Sequence, residues 1–186
     1  MRNLILIIAC GLFLSCSENY TPKPYGHVRI NLPDEHKMKT LSQEENCAFN
    51  IKVSEYSMPI NRKEACWYNI VYPQHKAVIH LTYKPIENNL AQLVEDSRSL
   101  VMNHSVKADG LDEQIYINDS LKVYGMFYEL LGNAANYLQF YVTDSTDHYL
   151  RGALYFNIPP NRDSLQPVID WMKEDMRLMI ESVNWN

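Results

Sequence analysis

The chain has 186 residues and a hydrophobic fraction of 46%, which suits a single globular domain of ordinary size. Its formal net charge of −5 gives no reason to expect nucleic acid as a partner. The GxSxG, P-loop, GxGxxG, HExxH and CxxC motifs are all absent from the sequence, which therefore predicts no enzyme activity, no catalytic residue and no cofactor.

The N-terminus is predicted to be a lipoprotein signal peptide over residues 1–15. Arg2 supplies a positive charge, and the apolar run Leu4–Leu14 is too short to span a bilayer. The run closes with Ser15 and Cys16, a pair that resembles the lipobox of bacterial lipoproteins, whose cysteine is lipidated. Cys10 is a rival position, and an ordinary signal peptide or short anchor is the alternative. Several acyl chains on Cys16 would hold the protein stably on a membrane.

Residues 16–46 are predicted to comprise the lipidated cysteine and an extended tether. Ser17–Pro33 is rich in proline, which favours an extended and semi-rigid chain, whereas Asp34–Asn46 is polar and is read as a loop or a short helix. We expect a lipid-anchored protein of the cell envelope. Ser17 rather than an aspartate follows Cys16, which by analogy with other bacteria favours the outer membrane. We expect the protein to face the periplasm, and display on the cell surface, which the lone acidic residue Glu18 would favour, is the alternative.

Two cysteines remain beside Cys16 once the leader is removed. A disulfide between Cys47 and Cys66 is a candidate, because the envelope space is oxidising. Two buried free thiols are the alternative, since sequence alone does not show that the two Cβ atoms meet.

Residues 47–186 are predicted to form a single globular α+β domain. Period-2 alternation marks its strands, and turn residues separate them. A period of 3.6 marks two long helices. The predicted strands are Cys47–Val53, Trp67–Tyr72, Ala77–Tyr83, Glu113–Ile117, Leu121–Leu131, Asn136–Thr143 and His148–Asn157. Tyr56–Ala65 is predicted as a loop. The helices are predicted over Leu90–His104 and from Asp163 or Ser164 to Ser182.

The last four strands are joined by short links, which predict an antiparallel four-strand meander. The whole sheet is expected to be mainly antiparallel and flanked by the two helices. This order of elements resembles the Mog1/PsbP-like α-β-α sandwich.

The hairpin Tyr137–Phe156 is the centre of the predicted sheet. Leucines and phenylalanines occupy one face of it, and tyrosines with Arg151 occupy the other, including Tyr137. Because tyrosine and arginine are enriched at interfaces, part of the second face is a candidate partner-binding surface, namely Tyr141, Tyr149, Arg151 and Tyr155. The alternative is that a helix covers this face and makes it a second core layer.

The turn of this hairpin concentrates polar groups. Asp144, Asp147 and His148 could hold a divalent cation. Aspartate, serine and threonine are also the residues that a turn uses to bond its own backbone. We therefore interpret the segment as a turn and predict no metal site.

Several segments resemble GldD, the family of gliding motility-associated lipoproteins of the Bacteroidota. They are Tyr20–Gly26 (YTPKPYG), Cys66–Pro73 (CWYNIVYP), Ala77–Lys84 (AVIHLTYK), Gly132–Ala135 (GNAA), Gln139–Phe156 (QFYVTDSTDHYLRGALYF) and Pro160–Leu165 (PNRDSL). The resemblance implies an envelope lipoprotein that is needed for gliding and linked to type IX protein secretion. It implies no catalytic residue, and only Cys16 is carried over as a functional position.

Two hypotheses of different classes follow. The first is a non-enzymatic assembly or stabilising factor, which is attached to the membrane by its lipid and binds other gliding and secretion proteins of the envelope. The alternative is an envelope module that binds a glycan or small ligand on its Tyr-rich sheet face.

Overall fold

The computed structural model describes residues 30–43, 47–105, 108–159 and 161–186, with the side chain of residue 104 left out. This part contains eleven strands and two α-helices. The strands are β1 (Met38–Thr40), β2 (Phe49–Asn50), β3 (Lys52–Ser54), β4 (Met58–Asn61), β5 (Tyr68–Tyr72), β6 (Ala77–Pro85), β7 (Gly110–Asn118), β8 (Val123–Leu131), β9 (Asn136–Thr143), β10 (His148–Phe156) and β11 (Asn184–Trp185). The helices are α1 (Leu90–Ser105) and α2 (Arg162–Glu181).

Seven of the strands form one sheet in the order β4-β5-β6-β10-β9-β8-β7. Every pair of neighbours in it is antiparallel. Two small sheets, β1-β3 and β2-β11, complete the fold. The predicted α+β class, with a mainly antiparallel sheet and two helices, is confirmed.

The two helices pack on opposite faces of the seven-stranded sheet. Helix α2 lies on the face that carries Leu150 and Leu154 of β10, where its Asp175 accepts a hydrogen bond from Tyr72 of β5. Helix α1 lies on the other face, where the hydroxyl oxygens of Ser97 and Tyr149 are 2.6 Å apart. Both faces of the central strands are therefore buried.

Helix α2 begins at Arg162, two or three residues earlier than a cap at Asp163 or Ser164 predicts. The side chain of Asn161 caps it by accepting a hydrogen bond from the backbone N–H of Ser164. Pro167 is the sixth residue of the helix and thus lies inside it, past the predicted first turn, so the backbone oxygen of Asp163 loses its usual intrahelical N–H donor. The predicted core stripe is confirmed, because all of its members are buried: Leu165, Val168, Ile169, Met172, Met176, Ile180 and Val183.

Two sequence-based assignments between residues 47 and 65 were wrong, and one strand at the C-terminus was missed. The predicted strand Cys47–Val53 is divided into β2 and β3, which pair with different partners, β11 and β1. The predicted loop Tyr56–Ala65 contains β4, whose Pro59 is tolerated because β4 is an edge strand. The short strand β11 was not predicted.

The folded part of the chain starts before residue 47. Strand β1 lies inside the segment predicted as a tether and pairs with β3. Leu41 follows it, is almost fully buried and donates its backbone N–H to Ile51. Apolar side chains at Ile30, Leu32 and Met38 also pack against the core. This stretch is stabilised by burial of apolar surface, in contrast to a free tether.

Gly125 of β8 lies close against the backbone of the neighbouring strand β9. A Cβ atom at this position would lie 1.9 Å from the backbone oxygen of Tyr141. We expect Gly125→Ala to lower the free energy of unfolding by about 1–3 kcal/mol, because the backbone must shift to admit the methyl group. Urea unfolding monitored by circular dichroism measures this change.

Gly110→Ala is the matched control. A Cβ at Gly110 would meet first the flexible end of Leu131, at 3.3 Å. Its effect is expected to stay within about 0.5 kcal/mol. Equal losses for the two variants would contradict the close-approach explanation.

Candidate functional site

Cys16, the predicted lipidation site, lies outside the described residues, as do the leader and the first part of the tether. The other predicted site residues are all placed by the structure. They fall in two regions: the sheet face under α1, and the disulfide near the start of β2.

Tyr149 is enclosed between the sheet and α1. Only 2% of its surface is exposed, and its hydroxyl donates to the backbone oxygen of Leu93 at 3.1 Å while meeting Ser97. Burial raises the pKa of this hydroxyl above its ordinary value, and the hydrogen bond with Ser97 offsets only part of that rise. Tyr149 thus belongs to a second core layer and leaves almost no surface exposed to a protein partner.

The other three residues of the candidate face are only half-buried. The ring of Tyr141 stacks on that of Tyr149, with centroids 5.4 Å apart. Arg151 donates to the side-chain oxygen of Gln139, and its guanidinium also bonds with Tyr155. Tyr155 packs against the ring of His80 at 5.2 Å. The candidate face is therefore divided, with Tyr149 closed off and Tyr141, Arg151 and Tyr155 partly accessible.

Tyr137 does not lie on this face, contrary to the simple alternation of β9. The pairing of β9 with β10 shifts by one residue between Ala153 and Tyr155. Such a bulge reverses the side to which the following side chains point. The ring of Tyr137 consequently meets Phe156 at 5.8 Å and lies beneath the guanidinium of Arg162 from α2.

A pocket of about 260 Å³ lies between α1 and the sheet. Tyr149 and Arg151 line it from β10, and Lys84 lines it from β6. Trp67 and Leu100 also contribute to its walls. Sequence reasoning did not identify Trp67, Lys84 or Leu100 as site residues; the available signal was that Lys84 alternates with His80 and Thr82 along a strand.

The polar turn of the hairpin is held by Asp144. Its Oδ1 accepts hydrogen bonds from the backbone N–H groups of Thr146, Asp147 and His148 at 2.8–3.0 Å. Burial raises the pKa of Asp144, but these bonds outweigh it and hold that pKa at about 2. The interpretation as a turn is confirmed by this bonding, and the described residues contain no group of three His, Cys, Asp or Glu side chains arranged to hold a metal ion.

A second polar centre lies under α2 and was missed by sequence reasoning. Asp175 is fully buried, and its Oδ1 is 2.7 Å from Nδ1 of His36, a residue of the N-terminal segment. The ring of His36 stacks on Trp171 at 4.8 Å. Burial raises the pKa of Asp175, while the hydrogen bonds with His36 and Tyr72 oppose the rise. Because the two partners are 139 residues apart, no local pattern indicates the contact.

The candidate disulfide pair, Cys47 and Cys66, is joined by a disulfide in the structure, with Cα atoms 5.5 Å apart. This separation is usual for such a bond. Both cysteines are buried, and the hydroxyl of Tyr68 lies 3.5 Å from the sulfur of Cys47. The bond links β2 to the loop before β5.

Comparison with known families assigns the chain. The model of the family described as gliding motility lipoprotein GldD matches residues 17–185. The chain belongs to the GldD family. The resemblance inferred from the sequence segments is thereby confirmed, and with it a lipoprotein family associated with gliding motility and with the cell envelope, which is not a known enzyme family.

None of the curated proteins compared with this GldD family member matches it. Across residues 30–43, 47–105, 108–159 and 161–186, no helix is both long and apolar enough to cross a membrane.

The hydrogen bonds accepted by Asp144 should make a pH-dependent contribution to the stability of the fold. The pKa of Asp144 is lower in the folded protein than in the unfolded chain, where it is about 3.9. Its contribution is therefore complete above about pH 4 and is lost as the pH falls towards 2. Because the carboxylate is partly in solvent, we expect Asp144→Asn to cost about 1 kcal/mol at pH 7 and only a small part of that at pH 2.

Asp147→Asn is the matched control, because the exposed side chain of Asp147 takes no part in these hydrogen bonds. Urea unfolding of both variants at pH 2, 4 and 7 makes the comparison. A loss for Asp144→Asn that is the same at all three pH values would contradict the role of its charge.

Proposed function

We propose that this GldD family member is a lipid-anchored protein of the cell envelope that is required for gliding motility and for type IX protein secretion. In this proposal it acts as a non-enzymatic assembly or stabilising factor that binds other envelope proteins. The observation that carries the proposal is the match of the gliding motility lipoprotein family over residues 17–185. The partners are proteins of the gliding and secretion machinery.

Two apolar sheet edges support a role in binding proteins. On edge strand β7, Ile115 and Ile117 are 73% and 65% exposed. On the opposite edge strand β4, Met58 and Ile60 are about half exposed. Edge strands with exposed apolar side chains are ready to pair with or pack against another chain.

The anchor is proposed to be lipidated Cys16, following a signal peptide over residues 1–15. We propose that the protein lies on the outer membrane, since Ser17 follows the cysteine, and that it faces the periplasm. Oxidation of Cys47 and Cys66 in that compartment belongs to the same proposal, because the periplasm favours disulfides. We also propose that the two helices on opposite faces of the sheet relate the fold to the Mog1/PsbP type.

A second candidate function is binding of a small ligand. The pocket beside Arg151 and Tyr149 favours it, because the pocket is concave and combines charged, aromatic and aliphatic walls. This candidate does not exclude the first.

Replacement of the anchor residue tests the first proposal. Cys16→Ala should move the protein from the membrane fraction to the soluble fraction, because the acyl chains supply the stable attachment. The same variant should fail to restore gliding and secretion in cells that lack the protein. Fractionation with immunoblotting and a colony-spreading assay measure the two effects.

Cys10→Ala is the control, since Cys10 is the rival lipidation position. This variant should remain in the membrane fraction and restore gliding. Retention of Cys16→Ala in the membrane, or release of Cys10→Ala, would overturn the assignment of the anchor.

The disulfide is tested separately. Its loop spans a sequence separation of 19 residues, and closing a loop of this size stabilises by about 3 kcal/mol in the chain-entropy model. We expect the double variant Cys47→Ala, Cys66→Ala to lose about that amount in urea unfolding. Alkylation of the protein taken from its envelope and denatured in urea without reductant should leave Cys47 and Cys66 unmodified, and modification of both would refute the bond.

A further inference from the structure

The pocket between α1 and the sheet contains two positive charges on adjacent strands. Thr82 of β6 pairs with Arg151 of β10, and Lys84 pairs with Tyr149, so Lys84 and Arg151 are diagonal neighbours on one face. Diagonal neighbours of this kind have Cα atoms about 7–8 Å apart. Two long cationic side chains at that separation can both reach one small anion.

Neither cation has an acidic partner within the part of the chain that the structure describes. The ion pairs there join His36 to Asp175, Lys37 to Glu35, and Arg162 and Lys173 to Glu129. Glu129 shows the contrast, because this buried carboxylate receives two cations at 2.6 Å.

Asp96 of α1 also lines the pocket, yet its carboxylate accepts a hydrogen bond from Gln92 and pairs with neither cation. The formal charge of the lining is therefore +1, from Lys84, Arg151 and Asp96.

Arg151 keeps its charge although it is half-buried. Burial lowers the pKa of its guanidinium, but arginine remains protonated at any physiological pH. Its neighbours Gln139 and Tyr155 provide hydrogen bonds without a compensating negative charge. A half-buried charge of this kind is stabilised when an anion occupies the pocket.

The remaining walls are mainly apolar, although Thr82 and Ser97 also line the pocket. Leu93 and Leu100 project from α1, and Leu100 is 44% exposed. The ring of Trp67 is fixed on the opposite side, because its Nε1–H donates to the backbone oxygen of Tyr83 at 2.8 Å. The volume of about 260 Å³ is below the roughly 300–1,000 Å³ typical of sites for drug-sized ligands, so the pocket suits one small group better than a glycan chain.

We propose that this pocket binds a carboxylate that has an apolar group close beside it. Arg151 and Lys84 hold the carboxylate, the guanidinium through charge-assisted hydrogen bonds, and Trp67, Leu93 and Leu100 enclose the apolar part. Two sources share this chemistry: the C-terminal residue of a peptide, and a free small carboxylic acid. The site goes beyond the proposed anchoring role, which does not depend on it.

Calorimetric titration of the full-length protein in a non-ionic detergent tests the proposal with defined probes. The small probes are N-acetyl-leucine and its amide. The peptide probes are Gly-Ser-Gly-Ser-Leu with a free or an amidated C-terminus. We expect saturable binding of the free acids and roughly ten- to hundredfold weaker binding of the amides, since the amide loses the charged hydrogen bonds. Comparison of the two free acids identifies the source.

Matched variants locate the binding. Arg151→Gln should weaken binding of the free acids about tenfold or more, and so should Lys84→Gln at the more exposed cation. Lys52→Gln, which replaces an exposed lysine on strand β3, should not change the binding. The indole N–H signal of Trp67 in NMR spectra should shift on binding in the unaltered protein. Lys84→Gln keeps the test valid if Arg151→Gln misfolds.

Three results would overturn the proposal. They are equal affinity for acid and amide, no binding of either acid, and a loss in Lys52→Gln as large as that in Lys84→Gln. A failure here would leave the membrane release of Cys16→Ala unaffected, so the two proposals are judged independently.

Discussion

The antiparallel pairing of β10 with β6 is the interaction on which the rest of the structure depends. Both strands have nine residues, and the pairing runs along the full length of each. It joins the strands β4-β5-β6 to the strands β9-β8-β7, which follow α1 in the sequence. Strand β10 thereby lies in the middle of the sheet, and each of its two faces must be covered by another element. Helix α2 covers the leucine face, and α1 covers part of the tyrosine face.

Burial on both faces explains how polar groups in the interior are paired. A buried polar atom is costly unless it is hydrogen-bonded, so the second core layer uses tyrosine hydroxyls that reach a partner on the helix. Tyr149 bonds with Ser97 in this way, and Tyr72 bonds with Asp175 on the other face. Asp175 in turn bonds with His36, which fastens the N-terminal segment to α2. The segment that leads towards the predicted lipid is thus attached to the core through a buried carboxylate.

The features that could be predicted from the sequence were those encoded over short distances. The alternation of β10 and the stripe of α2 assigned the correct faces, and turn chemistry identified Asp144. Assignments failed where a distant partner decides the outcome. The division of Cys47–Val53 depends on β1 and β11. The contact between His36 and Asp175 crosses 139 residues. The bulge that turns Tyr137 away arises from the register with β10.

The same limit applies to the candidate face, because period-2 alternation shows which side a residue occupies and does not show what covers it. A helix is about 10 Å wide. The six spacings across a seven-stranded sheet amount to roughly 29 Å. One helix therefore leaves both margins of its face open. Through β8, Ile115 is aligned with Tyr141 and Ile117 with Thr143. Met58 is aligned with Tyr155 through β5 and β6, so all three exposed residues lie on the α1 side. The exposed apolar residues and the pocket beside Arg151 consequently share one face, and the proposed contacts with other envelope proteins would involve that face.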